Sequence, residues 1–289
     1  MLLLWKPVVE HLYQETKEAV ETYGLTWTYV QFFLVSHDEP SRVYVNRKCA
    51  YALTLWLEGR VTQQPERSVE QLLQAVEQAN TDDACLGIVV QLPLSPQLQP
   101  HQATILTAVA PHKDLDGLGG VLFGLSATGH LTFIPATPKA VLEMLRYYSL
   151  DAVQGQTVAL LGQSNLTGKP LAVELMNRGA TVCSFNAESD QVLMKEVCAK
   201  SDIIISATGV VHLLDASFFS DPDALRQKVL LDVGRGIKDG KAVGDIDREF
   251  FQDRVHAITP VPGGIWPVTV ACLFHNLITL QQAKKSQLI

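Results

Sequence analysis

Residues 155–186 read GQTVALLGQSNLTGKPLAVELMNRGATVCSFN, and this stretch decides the fold. Val158 to Leu161 is a short apolar run bounded by turn residues, the pattern of a strand buried on both faces. Gly162 and Gly168 bracket a polar loop. From Lys169 to Arg178 the apolar residues Leu171, Val173, Leu175 and Met176 recur at helical spacing, and Ala180 to Phe185 is a second strand-like run. A strand that ends in glycine and feeds a helix aims backbone N–H groups and the helix N-terminus at whatever lies over the loop, and that geometry suits phosphate. The usual dinucleotide loop is G-x-G-x-x-G. Here Ser164 stands at the second glycine and one residue is added before Gly168. The loop alone therefore reads either as a nucleotide site or as an ordinary strand–helix turn. Asn186 ends the second strand with Glu188 just beyond, which leaves NAD and NADP both open.

Around this unit, 289 residues are enough for two domains, and 47% hydrophobic with 18% charged residues is an ordinary globular balance. A net charge of −7 argues against a general nucleic-acid or anionic-membrane surface. The apolar start MLLLW is soon interrupted by Lys6 and Glu10, too early for a membrane span or a signal peptide. Five widely spaced cysteines, with no C-x-x-C pair, read as free thiols rather than a disulfide or zinc framework, which fits a cytoplasmic location.

Taken in order, the chain alternates helices and strands. Residues 5–22 predict an amphipathic helix and 27–35 a strand. Ser41 is a candidate cap for a helix to about Leu57, and 68–79 predicts another helix. Leu86 to Gln91 reads as a buried strand ending at Leu92-Pro93, and 101–110 as a helix before the loop PHKDLDGLGG. Thr137-Pro138 opens a helix to about Tyr148. Strands follow at 202–207, 229–233 and 256–259. A last helix over 268–283 is long enough to cross back onto the first domain. The expected fold is therefore α/β in two domains. The first is an N-terminal α/β domain (1–138 plus 268–289). The second, 139–267, is a Rossmann-type domain with a doubly wound parallel sheet.

Several residues carry possible chemistry. Tyr44 and Lys48 share one helix face, as an acid–base or stacking pair or as a surface tyrosine under a lysine stem. Gln91 ends an apolar strand. Asp114 and Asp116 lie in KDLDG with no third ligand at calcium-loop spacing, so no metal site is expected. ITPVPGG at 258–264 is a rigid loop that brings backbone close to a ligand.

In order along the chain stand Tyr44-Val45-x-x-Lys48, Gly87 to Leu94 (GIVVQLPL), Lys113-Asp114-Leu115-Asp116-Gly117, Thr137-Pro138 and Gly162-x-Ser164-x-x-x-Gly168-Lys169-Pro170. Asp232-Val233-Gly234, Gly244-Asp245 and Thr259-Pro260-Val261-Pro262-Gly263-Gly264 follow. With these motifs the chain resembles the bifunctional methylenetetrahydrofolate dehydrogenase/methenyltetrahydrofolate cyclohydrolase family over nearly its full length.

The resemblance implies a folate cleft between two domains, a homodimer through the nucleotide domains, and a place in one-carbon metabolism and purine biosynthesis. It implies oxidation of 5,10-methylene- to 5,10-methenyltetrahydrofolate with NAD or NADP, then hydrolysis to 10-formyltetrahydrofolate. The catalytic set it implies is Lys48, Tyr44, Gln91 and Asp116. Lys48 is central, Tyr44 packs on the aminobenzoyl ring, Gln91 holds Lys48, and Asp116 binds the pterin. Gly162, Gln163, Ser164, Ser189, Arg235 and Thr137 would hold the dinucleotide. Leu92, Pro262 and Gly263 would join Tyr44, Gln91 and Asp116 around the folate.

The chain also departs from the family pattern. Ala136 stands where cysteine is common, Gln163 where arginine is frequent, Asn186 where histidine is common, and Arg235-Gly236 where Ile-Asn is common. Ser36 and Gly119–Leu122 also differ. Trp266 replaces a glycine, which predicts crowding of cofactor or folate. Two rival readings follow: a paralogue that keeps the cyclohydrolase with an impaired dehydrogenase, and a non-catalytic folate- or nucleotide-binding protein.

Overall fold

The computed structural model describes residues 1–63, 67–221, 223–286 and 288–289. The chain forms two compact units, one of Met1–Glu10 with Thr137–Thr269, the other of His11–Ala136 with Val270–Ile289. The sequence reading groups residues 1–138 with 268–289, whereas here the first ten residues fall with the later unit. The physical reason is backbone pairing: Leu2 bridges Ile258, and the Leu3 N–H donates to the Ile258 carbonyl at 2.9 Å.

One unit is built on a three-stranded parallel sheet. Its elements are α1 (Trp5–Thr22, shared with the other unit), β1 (Tyr29–Leu34), α2 (Glu39–Thr54), β2 (Glu58–Gln63), α3 (Val69–Thr81), β3 (Cys85–Gln91), α4 (Gln102–Thr107) and α5 (Gly120–Ala127). The sheet order is β2-β1-β3. Strand alternation sorts the core into two faces. Val30, Phe32, Leu34 and Val89 pack with Leu115, Phe274 and Leu277, whereas Phe33, Ile88 and Val90 pack with Leu72 and Val76.

The other unit holds α6 (Ala136–Tyr147), β4 (Thr157–Leu161), α7 (Gly168–Asn177), β5 (Thr181–Phe185), α8 (Gln191–Lys200), β6 (Ile203–Ser206) and β7 (Val229–Asp232). A hairpin of β8 (Gly236–Lys238) and β9 (Lys241–Val243) follows, then α9 (Arg248–Phe251), β10 (Ala257–Ile258) and α10 (Ile265–Lys285), whose residues from Val270 belong to the three-stranded unit. Its parallel sheet runs β10-β7-β6-β4-β5. β5 and β6 flank β4 on opposite sides, so the strand order reverses there, and in such sheets ligands bind beyond the carboxyl ends of the strands at that point. Ala159, Leu161, Ile204 and Leu230 are buried in its core. Truncating Leu161, Ile204 or Leu230 to alanine costs about 2–5 kcal/mol.

The structure corrects several local expectations. Asp38, not Ser41, caps α2, accepting from the Ser41 N–H at 2.8 Å with Pro40 in the first turn. Trp27 lies outside β1, 84% exposed at φ 67°. β2 has no apolar run because it is a mostly exposed edge strand. α10 begins at Ile265, before the expected Val268, because Pro267 is tolerated in a first turn. Among the described residues no helix is long and apolar enough to cross a membrane.

Candidate functional site

Lys48 projects from α2 and is only 3% exposed. Its Nζ donates to Gln91 Oε1 at 3.1 Å, lies 3.7 Å from Asp116 Oδ2 and sits 4.8 Å from the centre of the Tyr44 ring. Helical spacing brings Tyr44 under Lys48, while Gln91 arrives as the last residue of β3. Burial pushes the Lys48 pKa down, and the neighbouring Asp116 carboxylate pulls it part of the way back up. Burial, then the charge of Asp116, pushes the Tyr44 hydroxyl above its usual range, so it stays protonated. Gln91 Nε2 donates to the Leu92 carbonyl at 2.8 Å, which fixes which end of the amide faces the lysine. Ser41 Oγ donates to the same carbonyl at 3.3 Å.

The loop that presents Asp116 is held from beneath by Asp114, which the sequence reading did not place in the site. Asp114 accepts from the Gly117 N–H at 2.9 Å and the Gly119 N–H at 2.7 Å. Its carboxyl is pushed up to about 7, first by burial and further by the charge of Asp116, against the pull of the backbone donors. Asn276 of α10 donates to the carbonyls of Leu115 and Ile134 at 3.0 and 3.1 Å. Lys113 is spent structurally, donating to the carbonyls of Ala79 and Asp82 at the end of α3.

In the five-stranded unit, Gly162 ends β4 at φ 113°, and a side chain there would meet the Ala207 carbonyl at 2.5 Å. A side chain on Gly168 would collide with the Gly162 carbonyl. The two glycines therefore allow the loop to fold tightly against the N-terminus of α7. Ser164 Oγ accepts from the Thr167 N–H at 3.1 Å. Gln163 donates to the Ser184 carbonyl at 3.0 Å and accepts from Asn186 Nδ2 at 3.1 Å. Ser189 Oγ accepts from the Asn186 N–H at 2.9 Å. Gln163, Ser164, Asn186 and Ser189 thus gather at the carboxyl edge of β4 and β5. Thr137 is half-buried in the first turn of α6, and Arg235 is exposed just past β7. Pro262 lines a cavity of about 610 Å³ with Val261, Asp232 and the β8–β9 hairpin. Gly263 lies against the Trp5 ring.

Trp266 does not stand in the loop, where its bulk was expected to crowd a ligand. It occupies the first turn of α10, and its indole N–H donates to the Val233 carbonyl at 3.1 Å. The tight Gly162–Gly168 turn at the start of α7, beside the point where the strand order reverses, fits a dinucleotide's phosphates. Among the described residues no cluster of three or more His, Cys, Asp or Glu is arranged to hold a metal ion.

A doubly wound sheet with this loop, together with a separate α/β unit carrying a buried lysine, defines a two-domain protein of the dinucleotide-binding class. Residues 3–116 match the catalytic domain, and residues 135–286 the NAD(P)-binding domain, of tetrahydrofolate dehydrogenase/cyclohydrolase. The chain belongs to the tetrahydrofolate dehydrogenase/cyclohydrolase family. It is 35% identical over 282 residues to the bifunctional protein FolD of Oceanobacillus iheyensis, covering 96% of this chain and 95% of that protein. It is similar to the bifunctional FolD methylenetetrahydrofolate dehydrogenase/cyclohydrolase of Campylobacter jejuni, at TM-score 0.89 and 29% identity over 98% of this chain and 99% of that one. It is also similar to the Trypanosoma brucei FolD solved with NADP cofactor and inhibitor, at TM-score 0.88 and 27% identity over 99% and 98% of the two chains.

Proposed function

We propose that this chain is a bifunctional enzyme that oxidises 5,10-methylenetetrahydrofolate to 5,10-methenyltetrahydrofolate with NAD+ or NADP+ and hydrolyses the product to 10-formyltetrahydrofolate. Family membership supports both reactions. The observation that carries the reading is the buried Lys48, held by Gln91 and faced by Asp116.

A bound NAD+ or NADP+ supplies the hydride acceptor. The hydride leaves the one-carbon bridge between two nitrogens, and the resulting cation is delocalised over both, so this step needs orientation more than a strong acid. Tyr44 provides a flat face for the aminobenzoyl ring, and Asp116 accepts from the pterin. Leu92, Pro262 and Gly263 complete the folate contacts. Gly162, Gln163, Ser164, Ser189, Arg235 and Thr137 hold the dinucleotide. Hydrolysis adds water to the bridge carbon, breaks one carbon–nitrogen bond and returns a proton to the freed nitrogen. Lys48 takes the water's proton when its amine is neutral, and burial increases that neutral fraction. Gln91 orients the amine without adding a charge that would raise its pKa. In this reading the three-stranded unit serves the folate and the five-stranded unit the dinucleotide, and the enzyme works as a cytoplasmic homodimer.

Purified protein with methylenetetrahydrofolate and either dinucleotide, followed spectroscopically for methenyl formation and decay, tests both steps. Formation without decay removes the cyclohydrolase, decay of supplied methenyl substrate without formation removes the dehydrogenase, and neither leaves only a binding protein.

A further inference from the structure

Two buried carboxylates, Asp232 and Asp245, lie in the five-stranded unit with no part in the reactions above. Asp245 follows the β8–β9 hairpin and is 0% exposed. Its Oδ2 accepts from Ser206 Oγ at 2.8 Å, the Thr208 N–H at 2.7 Å, Thr208 Oγ1 at 2.8 Å and the Gly209 N–H at 3.3 Å. Its other oxygen is buried and accepts no hydrogen bond. Asp232 grips both ends of the hairpin segment, accepting from the N–H groups of Gly234 and Asp245 at 3.0 Å each and from that of Ile246 at 2.9 Å. The Asp232 N–H is itself held by Thr259 Oγ1 at 2.7 Å.

The turn that Asp245 gathers is the carboxyl end of β6, next to β4 at the reversal of strand order. The Ala207 N–H donates to the Leu161 carbonyl at 2.7 Å, and the Ala207 carbonyl closes on Gly162. Ser206–Gly209 is therefore one wall of the Gly162–Gly168 loop. Its backbone and hydroxyl donors converge on a single charged oxygen, an arrangement that is stronger than neutral hydrogen bonds and that leaves the buried Ser206 hydroxyl and the half-buried Thr208 donors without that partner if it is lost.

We propose that Asp245 is a positioning residue for the dinucleotide site, acting through the Ser206–Gly209 turn on the Gly162 loop without touching the cofactor. The inference rests on the reading that this loop takes NAD+ or NADP+. It gives Asp245 a task separate from Lys48. Loosening the turn degrades dinucleotide binding, because a site needs its supporting shell held to a fraction of an ångström, while methenyl hydrolysis in the other unit continues.

The test compares the parent with Asp245→Asn, which keeps the shape and removes the charge, and Thr208→Val, which removes one hydroxyl donor. Calorimetric titration with NAD+ and NADP+ gives the affinities, and hydrolysis of supplied methenyltetrahydrofolate without dinucleotide gives the other activity. Asp245→Asn is expected to weaken the tighter dinucleotide at least tenfold and Thr208→Val at least threefold, both with hydrolysis within twofold of the parent. A cooperatively melting Asp245→Asn that binds within twofold of the parent overturns the proposal, as does hydrolysis falling in step with affinity, the mark of a general structural role. If Asp245→Asn does not fold, unchanged affinity in Thr208→Val overturns it. A parent that binds neither dinucleotide overturns the functional reading first, and this inference with it.

Discussion

Lys48, itself almost closed to solvent, donates a 3.1 Å hydrogen bond to the side-chain oxygen of the half-buried Gln91, 43 residues away in sequence. The bond ties an amine whose pKa burial has lowered to a neutral partner that cannot restore it. Lys48→Met should cut methenyl hydrolysis by about 10²–10⁴-fold, the usual range for a lost acid–base group, with the fold intact by circular dichroism. In the parent, hydrolysis should rise with pH as the amine deprotonates, with its midpoint below the ordinary lysine value of 10.5. A folded Lys48→Met hydrolysing at the parent rate excludes the role.

Asp116 raises the Lys48 pKa through its charge. Asp116→Asn removes that charge, so the midpoint of the hydrolysis profile at saturating folate should move to lower pH. Asp116→Ala should also weaken folate binding by about 1.5–3 kcal/mol, the worth of a hydrogen bond to a charged group, roughly ten- to over a hundredfold. Chelator should leave both activities unchanged. Loss on chelation, restored by a divalent ion, would point to a metal instead.

Asp114 titrates from the usual aspartate value of 3.8 up to about 7 in the folded chain. Between about pH 4 and 7 the native state holds a proton that the unfolded state has released, so this group's contribution to stability falls as pH rises through that window. Asp114→Asn should flatten the decline in melting temperature from pH 5 to pH 8 relative to the parent. Parallel curves for the two proteins would show that Asp114 is already ionised at pH 5.

What could be read in advance followed burial. β3 and β4 announced themselves because both are buried on both faces and therefore carry unbroken apolar runs. β2 gave no such signal, since an exposed edge strand is held by backbone pairing to β1 rather than by apolar side chains. The β8–β9 hairpin did leave a mark, Asp239-Gly240 with φ of 51° and 72°, a type of turn that this dipeptide favours, but strands of three residues offer no pattern around it. In the candidate site, Tyr44 and Lys48 could be paired from helical spacing, whereas Gln91 and Asp116 joined them only through the order of motifs. Asp114 and Asn276 were invisible as supports, because the Asn276 bond to Leu115 spans 161 residues and depends on where α10 packs.

Trp266 anchors Val233, one residue before Gly234-Arg235. Trp266→Phe should lose about 1 kcal/mol of stability for one hydrogen bond, and Trp266→Gly more, since glycine also weakens a helix. Neither should tighten dinucleotide binding. A Trp266→Gly protein that binds NAD+ or NADP+ tenfold more tightly than the parent would show that the indole crowds the ligand after all.

Dinucleotide choice turns on the corner at the end of β5, where the ribose bearing the distinguishing 2′ group is read in such folds. Gln163 is engaged there on both sides, donating to Ser184 and accepting from Asn186, and neither residue carries charge. Glu188 is exposed beside them, its N–H on the Asn186 side chain, and it adds a negative charge that disfavours a phosphate. Lys169 is a cation in the first turn of α7, but its amine already donates to Asn165 at 2.7 Å. A 2′-phosphate would therefore arrive without the charge-assisted pair that an arginine supplies, whereas a ribose hydroxyl needs only neutral partners. The expectation is no strong preference for NADP+, with both dinucleotides binding weakly. Gln163→Arg should then raise NADP+ affinity at least fivefold while changing NAD+ affinity little, and raised salt should erode that gain. Parent binding of NADP+ tenfold or more tighter than NAD+, about 1.4 kcal/mol, would mean that another cation reads the phosphate. Lys169→Met would then be the variant that abolishes the preference.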